Sequence, residues 1–149
     1  MLNIPNQKQI QPNLITAGMP DREALLSLRQ EGFEAVISLA LPNSQPAPEP
    51  DESVIVTSQG LSFMQIPVLF DQPTLDDFRL FRTLLDQLQG KKVLVHCALN
   101  YRVSSFVYLY RVLSGLATEP EARADLEAIW QPDEVWSDFI EEVLDSEHE

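Results

Sequence analysis

The chain is poor in the residues that build disulfide bonds and metal centres. Its 149 residues include one cysteine, Cys97, and two histidines, His96 and His148. A single cysteine excludes an internal disulfide and a cysteine-cluster zinc site, and two histidines argue against a histidine-rich metal site. We therefore expect no metal ion and no other cofactor.

Long apolar segments are also lacking. No stretch approaches the roughly 18 apolar residues that a membrane span needs, and the polar N-terminal sequence MLNIPNQKQIQPN has no apolar signal-peptide core. We expect a cytoplasmic protein that does not bind membranes.

Basic residues are scarce, and the excess of acidic over basic residues is concentrated in the C-terminal segment. The chain has 10 Lys and Arg against 23 Asp and Glu, a formal net charge of -13, which disfavours nucleic acid and anionic lipid as partners. From Glu119 onward there are twelve acidic residues and one basic residue, whereas the first 118 residues have eleven and nine. The body is nearly neutral, so a small phosphate-bearing ligand is compatible with it.

The composition is otherwise that of a folded protein, with 44% hydrophobic and 8% aromatic residues. The length indicates one domain spanning 1–149, with a body over 12–116 and acidic C-terminal helices over 117–149 that pack on it. We expect Trp130 and Trp136 to fix these helices to the body.

Hydrophobic patterning predicts an α/β fold. Strands are predicted at 13–17, 34–41, 61–68 and 91–96, and helices at 21–31, 51–59, 74–89, 103–113, 119–130 and 133–146. Because strands alternate with helices and no tight hairpin signal is present, the order predicts parallel pairing. The expected fold is a three-layer sandwich with a small, mostly parallel central sheet of four or five strands, flanked by helices. The proline-rich stretch 42–50 is predicted to be a surface loop.

The segment VLVHCALNYRVSSF, residues 93–106, carries the most chemical information. A buried strand leads Cys97 into a short loop, and a helix follows. Free N–H groups and the positive end of a helix dipole favour a nucleophilic thiolate there, and Arg102 adds a planar fork suited to an oxyanion. A lone cysteine after a strand is more often a small buried hydrophobic residue, but His96, Arg102 and Ser104 beside it favour a functional site. His96 is expected to bond to backbone and steady the loop.

The stretch HCALNYRVS resembles the signature H-C-x5-R-[S/T] of cysteine-dependent protein phosphatases. The resemblance covers about residues 12–116. NLITAGMPDREALLSLRQEGFEAVISL resembles the opening of dual-specificity-type phosphatases, and LSFMQIPV followed by FDQPT resembles the stretch that enters their general-acid loop. The likeness is to a small bacterial branch of phosphatases, often described as a domain of unknown function, and it implies a dual-specificity-phosphatase-like sandwich.

The resemblance also implies a mechanism. Cys97 would form a phosphocysteine intermediate, Asp71 would act as general acid and then base, and Ser104 would assist departure of the thiolate. The phosphoryl oxygens would be bound by the loop, namely Ala98, Leu99, Asn100, Tyr101, Arg102 and Val103. The substrate would be a phosphorylated small molecule or a phosphoprotein. Asp71 could equally be a turn residue.

One departure from the signature bears on activity. Four residues separate Cys97 from Arg102, where the phosphatase signature has five. Counted from the cysteine, Asn100 occupies the glycine position, Val103 the arginine position and Ser104 the Ser/Thr position. Either the loop is one residue shorter, or the arginine is displaced by one position along the chain. One residue of extended chain spans roughly 3.5 Å.

The residues leave two alternative functions open. A C-x4-R loop also occurs in the rhodanese family, which would make the chain a sulfurtransferase with a persulfide on Cys97. The other alternative is a catalytically weak module that binds phosphate or a partner.

Overall fold

The computed structural model describes residues 2–147, which form a five-stranded sheet with six helices. The strands are β1 (Lys8–Gln11), β2 (Leu14–Ala17), β3 (Ala35–Ser38), β4 (Ser62–Gln65) and β5 (Val93–His96). The helices are α1 (Arg22–Leu26), α2 (Glu52–Ser58), α3 (Leu75–Gln87), α4 (Tyr101–Ser114), α5 (Glu119–Glu127) and α6 (Glu134–Glu147).

The strand order is β1-β2-β5-β3-β4, and the last four strands are parallel. The fold class expected from the sequence is therefore confirmed. The edge strand β1 differs from expectation, because it pairs antiparallel with β2 through a connection at Pro12 and Asn13. The β1 sequence KQIQ has a single apolar residue, and the turn between β1 and β2 lacks the glycine that marks most tight hairpins. Neither the strand pattern nor the turn sequence therefore predicts this hairpin.

The sheet is covered on both faces, and β5 shows how. All four residues of β5 are buried. Val93 and Val95 face a core with α3, α4 and α6, whereas Leu94 faces a second core with α1 and α2. Successive side chains of a strand point to opposite faces, so the apolar run VLV serves two cores at once.

Helix α1 is shorter than predicted. It begins after Asp21, whose side chain accepts a hydrogen bond from the Ala24 amide at 2.8 Å, and it ends at Leu26 instead of residue 31. The cause lies in a distant contact. The amide of Arg29 donates to the Gln59 side chain at 3.1 Å, and the Arg29 guanidinium donates to the Gln59 carbonyl at 2.6 Å. These bonds hold the chain in turns after Leu26.

The acidic C-terminal helices lie against α4. The side chain of Trp136 is fully buried, as is Val143 on the same face of α6. Thr118 begins α5 with a capping box that involves Glu121. Across residues 2–147 the structure contains no helix with the length and apolar character needed to cross a membrane.

Candidate active site

The segment that follows β5 occupies the centre of the sheet's carboxyl edge. β5 lies between β2 and β3, and all three run parallel. Ligand sites of open parallel sheets lie in the crevice at this edge. The loop 97–100 emerges there and enters α4 directly.

The loop is anchored through its carbonyl oxygens. Each of three successive carbonyls has a nitrogen partner outside the loop: Cys97 with His96 Nδ1 at 3.2 Å, Ala98 with the Met19 amide at 2.9 Å, and Leu99 with Asn6 Nδ2 at 2.9 Å. In a planar trans peptide the C=O and the following N–H point in opposite directions. Because these three carbonyls point toward their nitrogen partners, the N–H group that follows each carbonyl points away from that partner.

The amides of the loop and of the first helical turn have no partners. Among residues 2–147, the backbone N–H groups of 98–103 find no acceptor, and the first in-chain bond comes from the Ser104 amide to the Asn100 carbonyl at 2.9 Å. The start of a helix leaves its first N–H groups free. Six consecutive free donors in a loop and in the helix start that follows it are suited to binding an anion.

Asn100 gives the loop its shape. Its φ of 69° lies in the left-handed region, which asparagine tolerates better than most residues. Its side-chain amide donates to the Asn6 carbonyl at 2.8 Å and to the Thr16 hydroxyl at 3.1 Å. Asparagine thus takes the conformation that glycine provides in the phosphatase signature.

A cavity of about 310 Å³ lies against this loop. The loop side is formed by Cys97, Ala98, Leu99, Tyr101 and Arg102. The facing side is formed by Leu41, Asn43, Ser44, Gln45 and Phe70. The thiol lies at the base of the cavity, since Cys97 is 0% exposed.

Arg102 is the only Lys or Arg that lines this cavity in the described part of the chain. Its guanidinium donates from Nη1 to the Val68 carbonyl at 2.9 Å, and its central carbon lies 6.0 Å from the ring centroid of Phe70. Val103, at the position where the signature has arginine, is buried in the core. The shorter spacing therefore leaves an arginine at the cavity, in the first turn of α4.

Of the residues predicted to be catalytic, Asp71 and Ser104 lie outside the cavity lining, as do the predicted loop residues Asn100 and Val103. Asp71 is exposed in the turn that follows Phe70. The Ser104 hydroxyl donates to the Tyr101 carbonyl at 3.1 Å, and Ser104 lines a different, much smaller cavity on the side of Lys8. Their catalytic roles stay predictions.

An aromatic wall backs the cavity. Tyr101 stacks on Trp130 with ring centroids 4.5 Å apart and planes 1° from parallel, and Phe70 lies 5.7 Å from Trp130. Trp136 donates from its indole nitrogen to the Phe70 carbonyl at 2.7 Å. The acidic C-terminal segment therefore contributes to the site through its tryptophans.

Comparisons with known proteins identify the relatives of this arrangement. No family model matches the chain, and no curated protein matches it. Among solved structures, a protein from Shewanella putrefaciens CN-32 described as "Putative phosphatase (DUF442)" superposes with a TM-score of 0.85 at 32% sequence identity, covering 98% of this chain and 95% of that chain. The chain belongs to the DUF442 family.

Other neighbours of this DUF442 chain share its fold. Tk-PTP in its active form matches with a TM-score of 0.77 at 20% identity, over 95% of this chain and 97% of that one. The core catalytic domain of the PP-IP phosphatase SIW14 from S. cerevisiae matches with a TM-score of 0.76 at 14% identity, over 95% and 87%. The predicted membership of the cysteine phosphatase superfamily is confirmed.

Some parts of the DUF442 site have no local sequence signal. Asn6 lies in a polar N-terminal stretch, 93 residues before the carbonyl that it supports. The loop 42–50, predicted as a surface loop, supplies Asn43, Ser44 and Gln45 to the cavity. Glu52 is an ordinary acid at a helix start by sequence, yet it is buried against His96. Only the tertiary fold brings these residues to the cysteine.

Proposed function

We propose that the chain hydrolyses a phosphomonoester through a covalent phosphocysteine on Cys97. The observation that carries this proposal is the coincidence of a thiol, one buried guanidinium and a run of amides without acceptors in residues 2–147, at a cavity lined by Cys97, Ala98, Leu99, Tyr101 and Arg102. A tetrahedral phosphate offers the oxygens that such donors need. The amides of 98–103 and Arg102 would hold the three non-bridging oxygens and place phosphorus against the sulfur.

The first step transfers the phosphoryl group. The Cys97 thiolate attacks phosphorus, the S–P bond forms, and the ester P–O bond breaks. The departing alkoxide or phenolate oxygen takes a proton from the Asp71 carboxyl group. Asp71 follows Phe70, which lines the cavity, so its turn lies at the rim from which the leaving group departs. General acid help of this kind contributes about 10²–10⁴-fold.

The second step releases phosphate. Water attacks phosphorus, its proton passes to the Asp71 carboxylate, and the S–P bond breaks to regenerate the thiolate. Ser104 would favour departure of the thiolate by donating its hydroxyl proton as a hydrogen bond. That role requires the hydroxyl to leave the Tyr101 carbonyl, so a Ser104→Ala variant with unchanged turnover would remove Ser104 from the mechanism.

The cavity favours a substrate with a single phosphate. Within residues 2–147 the lining has one cation, Arg102, which would be matched by one phosphoryl group, and its walls are largely apolar, from Leu41, Phe70, Leu99 and Tyr101. A second phosphate would find no further cation among these described lining residues. We therefore propose a phosphorylated small molecule, or a phosphorylated protein side chain, with an uncharged body next to the phosphate.

An aryl phosphate assay tests the reaction. We expect the unaltered chain to release phosphate, Cys97→Ser to be inactive, and Asp71→Asn to be slower by about 10²-fold or more. Asp76→Asn is the matched control, because Asp76 is an exposed acid at the start of α3. An Asp71→Asn rate equal to that of the control would show that the proton comes from elsewhere.

A phosphate-binding module without turnover is the second candidate. The observation that favours it is that Ala98, Leu99, Tyr101 and Arg102 line the cavity, whereas Asp71 does not. Tight phosphate binding without hydrolysis would establish this candidate. Transfer of sulfur from thiosulfate to cyanide, together with inertness to aryl phosphates, would instead favour the sulfurtransferase that the C-x4-R loop also allows.

A further inference from the structure

A buried carboxylate lies beneath the cysteine loop. Glu52, the first residue of α2, is 6% exposed, and its Oε2 shares a hydrogen bond with Nε2 of His96, which is 0% exposed. A carboxylate is almost never buried unless it is paired. The pair joins α2 to the end of β5, 44 residues further along the chain.

The second ring nitrogen fixes where the imidazole protons lie. Nδ1 of His96 is 3.2 Å from the carbonyl oxygen of Cys97, and a carbonyl oxygen can only accept. Nδ1 must therefore carry a hydrogen. Nε2 then either donates to the Glu52 carboxylate or accepts from its carboxyl group. In both states Glu52 occupies Nε2 and leaves the Nδ1 hydrogen for Cys97, since the partner of one ring nitrogen sets the tautomer of the other.

The held carbonyl controls the first amide of the anion-binding loop. Because the Cys97 carbonyl points to His96, the Ala98 N–H of the same peptide group points away from His96. The next two peptides are held by Met19 and Asn6, whereas within residues 2–147 the Cys97–Ala98 peptide has His96 as its one hydrogen-bond partner.

We propose that Glu52 is a positioning residue that acts through His96 to orient the Cys97–Ala98 peptide for phosphate binding. The inference rests on the proposed function for its catalytic consequence, but not for its effect on phosphate binding. A carboxylate that only stabilised the fold would leave both the histidine tautomer and the phosphate affinity of the folded protein unchanged.

The unaltered chain provides the first test. With ¹⁵N-labelled histidine only two imidazoles appear, His96 and His148, and removal of one by a His148→Gln substitution assigns both. We expect Nδ1 of His96 to be protonated, with a long-range coupling pattern and ¹⁵N shift that show it. A His96 ring with bare Nδ1 would overturn the proposal without any need for a variant that folds.

Matched variants provide the second test. Glu52→Ala should weaken binding of inorganic phosphate by about tenfold, as expected when a charge-assisted hydrogen-bond arrangement is lost. Glu52→Gln should stay within about twofold of the unaltered chain, because its amide can donate to Nε2 and leave Nδ1–H in place. Ile55→Ala, a buried truncation on the same helix, should lower thermal stability without changing phosphate affinity.

The outcomes separate the two proposals. Unchanged phosphate affinity in folded Glu52→Ala, or equal losses in the Ala and Gln variants, would overturn the role of Glu52 while leaving phosphoryl hydrolysis intact. Phosphate binding that depends on Glu52 as described, without hydrolysis by the unaltered chain, would overturn the proposed function alone. If hydrolysis occurs, the Ala variant should lower kcat/KM by about the same factor as it weakens phosphate binding.

Discussion

Gly18 shows how tightly the cysteine loop is packed at the level of single residues. A Cβ atom at this position would lie 2.8 Å from the Ala98 carbonyl oxygen and 2.9 Å from the Pro5 carbonyl oxygen. Both oxygens belong to backbone, and the Gly18 amide also donates to Pro5 at 2.7 Å. Gly18 lies in the stretch NLITAGMPDREALLSLRQEGFEAVISL that resembles the opening of dual-specificity-type phosphatases, and the physical reason for a glycine at this position is the close approach to the loop.

Gly18→Ala should therefore disturb both stability and the site. Overpacking of this kind costs about 1–3 kcal/mol in the free energy of unfolding, and displacement of the Ala98 carbonyl should weaken phosphate binding. Urea unfolding and phosphate titration measure the two effects.

Gly90→Ala is the matched control for this prediction. Gly90 has φ of 83° in the turn before β5, and a Cβ there would meet no atom of residues 2–147 within 4 Å. Its left-handed backbone should cost about 1–2 kcal/mol without altering phosphate affinity. Equal phosphate affinities for the two variants would contradict the role that we assign to Gly18.

At the level of elements, helix α6 supports the cavity wall. Trp136 is buried against Phe106 and Phe139, and its indole N–H holds the Phe70 carbonyl. Phe70 is itself 39% exposed, so this hydrogen bond and its aromatic neighbours fix its place at the rim.

Trp136→Phe should distinguish the contribution of Trp136 to core packing from its role in holding Phe70 at the cavity wall, which we call its wall function. Loss of the hydrogen bond should raise the KM for an aryl phosphate about threefold, in addition to a loss of stability. Phe139→Leu, a buried substitution on the same helix, should destabilise to a similar extent and leave KM unchanged. Steady-state kinetics with urea unfolding of both variants checks this, and matching KM values would argue against the wall function.

The elements also show what the sequence could and could not predict. Amphipathic α3 and the apolar strand β5 follow from local patterns, because burial on one face or both faces is written into their residues. The early end of α1 depends on Gln59, and β1 depends on its neighbour β2. Such pairings are tertiary, so local patterns miss them.

The site residues also divide into those that a local pattern predicts and those that only tertiary contacts bring to the site. Cys97 and Arg102 were predicted because they lie in one short segment with a recognisable spacing. Glu52 and Asn6 contact that segment from distant parts of the chain, and nothing in their own neighbourhoods distinguishes them from ordinary surface or loop residues. Phe70 begins the FDQPT stretch, but no local pattern indicates that its ring lies beside Arg102.

At the level of the whole molecule, the acidic C-terminal segment is tied to the body by a buried phenol. The Tyr108 hydroxyl donates to Glu119 at 2.7 Å, and Arg123 donates to the same hydroxyl at 3.3 Å. Burial, and then the hydrogen bond to Glu119, raise the pKa of Tyr108 to about 12. The folded protein therefore holds this proton more tightly than the unfolded chain.

Alkaline pH should consequently loosen the molecule. The contribution of Tyr108 is fully present below the unfolded pKa of about 10 and is lost as pH rises toward 12. Burial also raises the pKa of Tyr110, which acts in the same direction. Tyr108→Phe should flatten the decline in urea midpoint between about pH 9.5 and 11.5. An unchanged decline would show that other groups control it.

The position of β5 between β2 and β3 governs when this molecule can acquire its sheet during synthesis. Neither β2 nor β3 pairs with the other, and both pair with β5. A nascent chain that ends before residue 93 therefore lacks the strand that joins β2 to β3, and the ribosome must release Val93–His96 before the sheet can close. The cysteine loop is synthesised immediately afterwards, so the proposed active site is completed only when the central strand is already available to support it.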